Sequence, residues 1–421
     1  MIKFYKFVAA VLCSWAVLAP SPARADDNAI TDERLNLSLN LLKSKMNNAT
    51  GNFVLSPLSI YMASGLLANG AGGKTLEQLQ KKILSPHHNL SLSEINQNLS
   101  QYMQNLSPAI KINNSVWGDD FKPEYIESVQ SLKAEALDLP ESTQVINDWI
   151  DEKTNGKIKN VLAVKKPDKR DYYLVNTVYF NDKWASVFDA ADTTLKPFHS
   201  LGAAQPDDVY MMYQHFSEST NYYENDTFQA VHLLYKHYDV AKEGVDTTDF
   251  EARMNFDNFI SYPTNYIDFI LPKENVDFKQ FVRSLTLDDL KIPYRDYPEV
   301  ELELYLPRFE TEYKTPLNGW FKAGGIPLFE DDSEVDLSKL SSIPHYVKDI
   351  IHQANIRVDE EGTEAAAATV IALPALGLNM QERKVPPRKV FNADRPFIYI
   401  INGGLFIGAY IKGAKLEAKN Q

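Results

Sequence analysis

The chain has 421 residues, 44% hydrophobic and 24% charged, with 43 Lys and Arg against 56 Asp and Glu for a formal net charge of -13. That is apolar mass enough for one large core or two structural units, and the acidic balance argues against nucleic acid or an anionic membrane as a partner. The single cysteine, Cys13, falls in the leader described next, so the expected mature chain has neither a disulfide nor a thiol nucleophile.

Residues 1–25 carry Lys3 and Lys6, an apolar run over 7–18 and the small-residue end Ala23-Arg24-Ala25, the pattern of a cleaved signal peptide. Loss of its three basic residues takes the net charge from -13 to -16. No later stretch reaches the roughly 18 uncharged apolar residues of a membrane span. The expected product, residues 26–421, is a soluble secreted protein, extracellular or, in a bacterium, periplasmic or at the cell surface. Asn-x-Ser/Thr triplets begin at Asn36, Asn48, Asn89, Asn98, Asn105, Asn113 and Asn225 and accept glycan where the host has that machinery.

Thr31, followed by Asp32 and Glu33, reads as an N-cap for an amphipathic helix with Leu35, Leu39, Leu42 and Met46 on one face. Ser56-Pro57 opens a second helix, ended by glycines 70, 72 and 73, after which Thr75 and Gln78 read as a capping box. Another helix runs through Ile146, Trp149, Ile150 and Lys153 to Gly156, and the chain then enters an apolar strand over 174–180. The acidic segment 239–257 lacks apolar periodicity and reads as an exposed insertion. Val300, Leu302, Leu304 and Leu306 alternate with Glu301, Glu303 and Tyr305, a half-buried strand ended by Pro307. Residues 397–401 and 405–411 flank Asn402-Gly403-Gly404 as a hairpin. Helices early and strands late give an α+β fold.

Between the strand ended by Pro307 and that hairpin lies Glu360-Glu361-Gly362-Thr363-Glu364-Ala365-Ala366-Ala367-Ala368-Thr369. As a strand it puts Thr363, Ala365, Ala367, Thr369 and Ile371 on one face and Glu364, Ala366, Ala368 and Val370 on the other, with the small face inward. Pro374, which lacks a backbone N–H, limits how far such a strand enters a sheet. As a helix the same run starts behind a Thr363 N-cap and has good intrinsic propensity.

Catalytic and metal patterns find little support. Gly73-Lys74-Thr75 looks like the end of a phosphate loop, but Ala68 stands where its first glycine belongs and a helix precedes it. The eight histidines contain no His-Glu-x-x-His pair and read as surface residues, His87-His88 included. No Gly-x-Ser-x-Gly elbow is present.

Across almost the whole mature chain, however, the motifs resemble the serpin family in that family's order. They are Asn52-Phe53-Val54-Leu55-Ser56-Pro57-Leu58-Ser59-Ile60, Ile146-Asn147-Asp148-Trp149-Ile150, Thr154-Asn155-Gly156-Lys157-Ile158, Leu174-Val175-Asn176-Thr177-Val178-Tyr179-Phe180 with Trp184, Met211-Met212, Ile270-Leu271-Pro272, Leu306-Pro307-Arg308-Phe309, Ile351-His352-Gln353-Ala354 and Phe391-Asn392-Ala393-Asp394-Arg395-Pro396-Phe397.

The resemblance implies a serpin fold, with helices on a large mixed sheet, smaller sheets and an exposed reactive loop over about residues 360–390. It implies a monomeric suicide inhibitor that forms a covalent 1:1 complex with a target serine protease. It implies no enzyme activity, cofactor, nucleic acid or membrane partner. Residues 360–369 take the place of the family's hinge, Ser56, Ser59, Asn176 and His352 that of its polar cluster under the sheet, and Trp184 the point of loop insertion. Glu360 is expected to pair with Arg308, where the family usually has lysine. Counting from Glu360 puts the scissile bond at Leu376-Gly377, implying chymotrypsin-like, cathepsin-G-like or subtilisin-like targets, with Ala372, Ala375 and Met380 as elastase-like or secondary sites. Counting back from Phe391 puts it at Arg383-Lys384, implying a trypsin-like target. The segment 91–106, where some members carry a basic helix, has no Lys or Arg, so no heparin site is expected. The insertion after Tyr238 and the tail after Gly408 depart from the family pattern. A non-inhibitory serpin acting as carrier, chaperone or storage protein is the main rival, and a secreted hydrolase the remoter one.

Overall fold

A computed structural model describes residues 25–154, 156, 159–242, 245, 259–329, 334–342, 346–363 and 385–418. The leader up to Arg24 therefore lies outside the described residues.

Ser56 opens its helix as its chemistry requires. The Ser56 hydroxyl accepts the Ser59 N–H at 3.1 Å and Pro57, with no N–H to lose, takes the first position of a helix over Pro57–Gly70. Nearly every residue of that helix is buried, so it runs through the core. The first helix, Ala25–Met46, buries Leu35, Leu39, Leu42 and Met46 as its spacing predicts. It starts before Thr31, which is no cap: burial of Ile30 extends the helix past the cap signal, and the Thr31 hydroxyl accepts from Arg34 instead. Thr75 corrects a second expectation. The helix Gly73–Leu79 is capped by Gly72, while the buried Thr75 hydroxyl donates to the Pro327 carbonyl at 3.1 Å and accepts the Asp336 N–H at 2.9 Å. Capping boxes do form elsewhere, at Ser91 and Glu94 for the helix Leu92–Gln104 and at Thr286 and Asp289 for Leu287–Leu290.

The main sheet takes the order β3 (Ala134–Leu137), β2 (Ile110–Trp117), β4 (Asp171–Phe180), β15 (Tyr346–Val358), β16 (Gly362–Thr363) and β5 (Asp182–Lys183), with β14 (Phe309–Pro316) paired along β15. One face of β4 presents Tyr173 and Val175 to Ile146 and Ile150 of the helix Gln144–Lys153, which crosses the sheet from outside. The other face, with Leu174 and Val178, belongs to the large core that holds the Pro57–Gly70 helix.

A six-stranded sheet runs β1 (Phe53–Leu55), β19 (Phe406–Tyr410), β18 (Phe397–Ile401), β12 (Tyr266–Pro272), β9 (Phe228–Leu234) and β8 (Tyr222–Glu224). Its hairpin turns at Asn402, Gly403 and Gly404, all at positive φ. A four-stranded sheet runs β17 (Arg388–Asn392), β13 (Val300–Pro307), β7 (Asp207–Ser219) and β6 (Thr194–Phe198), with β17 parallel to β13 at the edge. The segment expected as an exposed insertion has a two-stranded ribbon at its base, β10 (Asp239–Ala241) with β11 (Phe259–Ser261), where Val240 and Ile260 face solvent. The fold is α+β, although helices early and strands late was too coarse: strands appear from Phe53 and helices return at Phe278–Ser284 and Asn318–Ala323.

Candidate functional site

The upper half of the main sheet is parted. β15 and β4 pair directly, in parallel, only over residues 346–351 and 171–175. At the top, the two residues of β16 stand between β15 and β5, which follows β4 in the chain, with Thr363 opposite both Val358 and Asp182, and Gly362 opposite Lys183. Between these two levels, residues 352–357 and 176–181 have no strand joining them among the described residues. The stagger is the same at both ends, with Ile351 opposite Val175 below and Val358 level with Asp182 above. His352 therefore faces Asn176 across the gap, Ala354 faces Val178 and Ile356 faces Phe180. Six residues on each side leave inward-facing backbone groups that strand chemistry pairs with a further strand.

The hinge is already filed into the top of this slot. Only a residue without Cβ fits at 362, since a Cβ there would lie 2.2 Å from the Asp182 carbonyl oxygen. Thr363 is 1% exposed, and its hydroxyl meets the Tyr235 hydroxyl at 2.7 Å. Burial holds the Tyr235 phenol well above the ordinary tyrosine pKa, so it keeps its proton for that bond. Tyr235 stacks on Trp184, centroids 4.5 Å apart and planes within 13°. Trp184 donates its indole N–H to the Asp359 carbonyl at 2.8 Å and its backbone N–H to the Glu361 carbonyl at 2.9 Å. Arg308, nearly buried, meets both carboxylate oxygens of Glu360 at 3.2 and 3.3 Å, and the Thr193 hydroxyl donates to the same carboxylate at 2.8 Å. The first hinge residues are thus buried and bonded rather than exposed.

At the foot of the slot, the Ser56 N–H donates to His352 Nε2 at 3.1 Å. That bond leaves the ring proton on Nδ1, which has no hydrogen-bond partner among the described residues. Burial pulls the His352 pKa down to about 4, so the ring is neutral. Ser59 joins through its N–H to the Ser56 hydroxyl. Asn176 stands apart from that trio and donates its amide to Asn114 Oδ1, while its own Oδ1 has no hydrogen-bond partner among the described residues. Tyr235, Asp182 and Asn114 escaped the sequence reading, because nothing in their local sequence marks them. Only the sheet register brings Tyr235 and Asp182 to the hinge and Asn114 to Asn176 at the foot of the slot.

Residues Glu364, Ala365, Ala366, Ala367, Ala368 and Thr369, and both proposed cut sites, Leu376-Gly377 and Arg383-Lys384, lie outside the described residues. The strand and helix readings of 364–369 are therefore decided only as far as Thr363, which is strand. His87 and His88 are exposed as expected, although each brings Nδ1 to 3.0 or 2.9 Å from the fully buried Glu33 carboxylate, whereas His352 is buried. Among the described residues no group of His, Cys, Asp and Glu is arranged to hold a metal, and no helix is long and apolar enough to cross a membrane.

Comparison with known proteins agrees with this architecture. The family model described as Serpin (serine protease inhibitor) matches residues 32–245 and 253–412. Leukocyte elastase inhibitor of Xenopus laevis is 29% identical over 394 residues, covering 87% of this chain and 95% of that protein. Its human namesake is 28% identical over 395 residues, covering 86% and 94%. The native-state crystal structure of tengpin, a thermophilic serpin, superposes with a TM-score of 0.71 at 24% identity, covering 91% of this chain and 94% of that one. With the parted sheet, the docked hinge and a family match that spans nearly the whole chain, this protein belongs to the serpin family, described as serine protease inhibitors.

Proposed function

We propose that the chain is a secreted suicide-substrate inhibitor of serine proteases. In this reading residues 1–25 are its leader, residues 26–421 form one domain, and the loop over about 360–390 is the bait. The protease attacks the loop, forms an acyl-enzyme and is carried away as the loop enters the main sheet. The favoured bond is Leu376-Gly377, for chymotrypsin-like, cathepsin-G-like, elastase-like or subtilisin-like enzymes. Arg383-Lys384 is the alternative bond, for a trypsin-like enzyme.

One observation carries the reading: Gly362 and Thr363 already form a central strand above a gap that no described residue fills, and small residues follow them in the sequence. A carrier or storage role needs neither feature. Nothing beyond Thr363 on the inward face up to Thr369 obstructs insertion, since Ala365 and Ala367 are small and uncharged. Serpin loop insertion is itself a standard example of strand addition and of stored strain released by proteolysis.

The test is incubation of residues 26–421 with chymotrypsin, elastase, subtilisin and trypsin. The expected result is a 1:1 adduct that survives boiling in detergent, with a released peptide that begins at Gly377. A peptide that begins at Lys384 assigns the other bond. Cleavage without an adduct by all four enzymes overturns the inhibitor reading, and turnover of a substrate makes the protein a hydrolase.

A further inference from the structure

A cavity of about 280 Å³ lies between the first helix, the helix Leu92–Gln104 and the start of β12. That is near the lower end of the about 300 to 1,000 Å³ usual for small-molecule sites. Among the described residues its wall carries one cation, Arg34, and no Asp or Glu. Arg34 is 3% exposed, and its Nε and Nη1 have no hydrogen-bond partner among the described residues. Nη2 reaches the Thr31 hydroxyl at a long 3.4 Å. The two acids beside it in the chain are engaged elsewhere: Asp32 pairs with Lys291 at 2.7 Å, and the buried Glu33 accepts the backbone N–H groups of His87 and His88. A guanidinium taken out of water is costly to hold without an anion.

The rest of the wall describes the body that carries that anion. Tyr102 covers the guanidinium, its ring centroid 4.3 Å from Arg34 Cζ. Tyr266 lines the same cavity, and burial, with a smaller push from Asp268, holds its phenol above the ordinary tyrosine range although Arg34 pulls the other way. Its hydroxyl therefore keeps its proton and can donate. Ile30, Leu106 and Ile110 add aliphatic surface, while Asn98, Gln101 and Asn105 stand on the solvent side. A single guanidinium matches a single carboxylate, whereas a phosphate ester or a polyanion calls for more Lys or Arg than this wall holds.

We propose that this cavity binds a small aromatic monocarboxylate, with its carboxylate paired to Arg34 and its ring held between Tyr102 and the aliphatic wall. Either edge of the guanidinium, Nε with Nη2 or Nη1 with Nη2, offers the two parallel donors that a carboxylate accepts. Entry turns the Tyr102 ring aside and replaces the long Thr31 bond. The ligand supplies the missing counter-charge and acceptors, so the loaded protein is the more stable form.

The test is calorimetric titration of residues 26–421 with phenylacetate and cinnamate, and with phenylacetamide as the neutral control. At least one acid is expected to bind one to one and to raise the melting temperature, and the amide to bind roughly tenfold or more weakly. Arg34→Met keeps the length of the side chain and removes its charge. It is expected to weaken acid binding roughly tenfold or more and, with no ligand present, to melt no lower than wild type, because an unpaired buried cation has gone. Gln101→Trp fills the cavity with Arg34 in place and is expected to abolish binding. Failure of both acids to bind, or equal binding of acid and amide, overturns the inference. So does an Arg34→Met protein that melts well below wild type, which marks a purely structural arginine, or binding that survives Gln101→Trp, which places the ligand elsewhere. None of these outcomes touches protease trapping, so the inhibitor reading stands or falls separately.

Discussion

A neutral imidazole at the foot of the slot makes one residue sensitive to pH. His352 is buried, and burial alone lowers its pKa from 6.5 to about 4. Because the folded value lies below the unfolded one, the unfolded chain binds the proton first as pH falls. The stability is fully present above pH 6.5 and drains away as pH falls from there to about 4. The loss amounts to about 3 kcal/mol across that window. Replacement by glutamine keeps an oxygen to accept the Ser56 N–H and removes the titration. Urea unfolding of wild type and His352→Gln at pH 7 and pH 4 is expected to show that difference between the two proteins. Parallel pH dependence in both would mean that the ring is not held neutral by burial.

At the scale of the element, what matters is a strand of two residues that is built to grow. Growth requires that each inward residue be small and uncharged, and position 367 tests this more cleanly than Thr363, which is buried before any cleavage occurs. In the register set by Thr363, residue 367 comes between Ala354 and Val178, both buried. Ala367→Arg would place a guanidinium there without a partner, a penalty of roughly several kcal/mol that falls on insertion and not on the docked hinge. The expected outcome is a substrate: the loop is cleaved at the wild-type rate, no boiling-resistant adduct forms, and the uncleaved protein melts as before. Adduct formation at wild-type stoichiometry would show that residue 367 does not pass inward.

Elements of this kind were unevenly legible in the sequence. The β13 alternation of Val300, Leu302, Leu304 and Leu306 and the Ser56-Pro57 helix start are local signals, and the structure follows them. Thr31 and Thr75 carried equally good local signals and were overruled. In one case apolar burial extended the helix, and in the other a hydroxyl was taken by carbonyl and N–H groups more than 250 residues away in the chain. The candidate site divides in the same way. Trp184, Arg308 and His352 could be named because their motifs resemble a family, whereas Tyr235 and Asp182 become visible only when three strands converge on Thr363.

For the whole molecule, the inhibitor reading requires that the resting fold not be the lowest state available to the chain. A strand filling the slot pairs along both sides, and some ten backbone bonds at about 0.5 to 1.5 kcal/mol each give on the order of 10 kcal/mol. That is comparable with the entire stability of an ordinary domain, about 5 to 15 kcal/mol. Apolar contacts of Ala365 and Ala367 with the core add to it. The gain is withheld while the loop is intact, because its far end is anchored in β17, which is paired with β13 in a different sheet. Cutting between hinge and anchor releases it. A single nick in the loop, with no other change to the chain, is therefore expected to raise the melting temperature by roughly 10 °C or more. Scanning calorimetry of the intact and nicked proteins decides the matter. A nicked form that melts with the intact one would mean that the slot stays unfilled, and the gap between residues 352–357 and 176–181 would then have to be explained without an inserting strand.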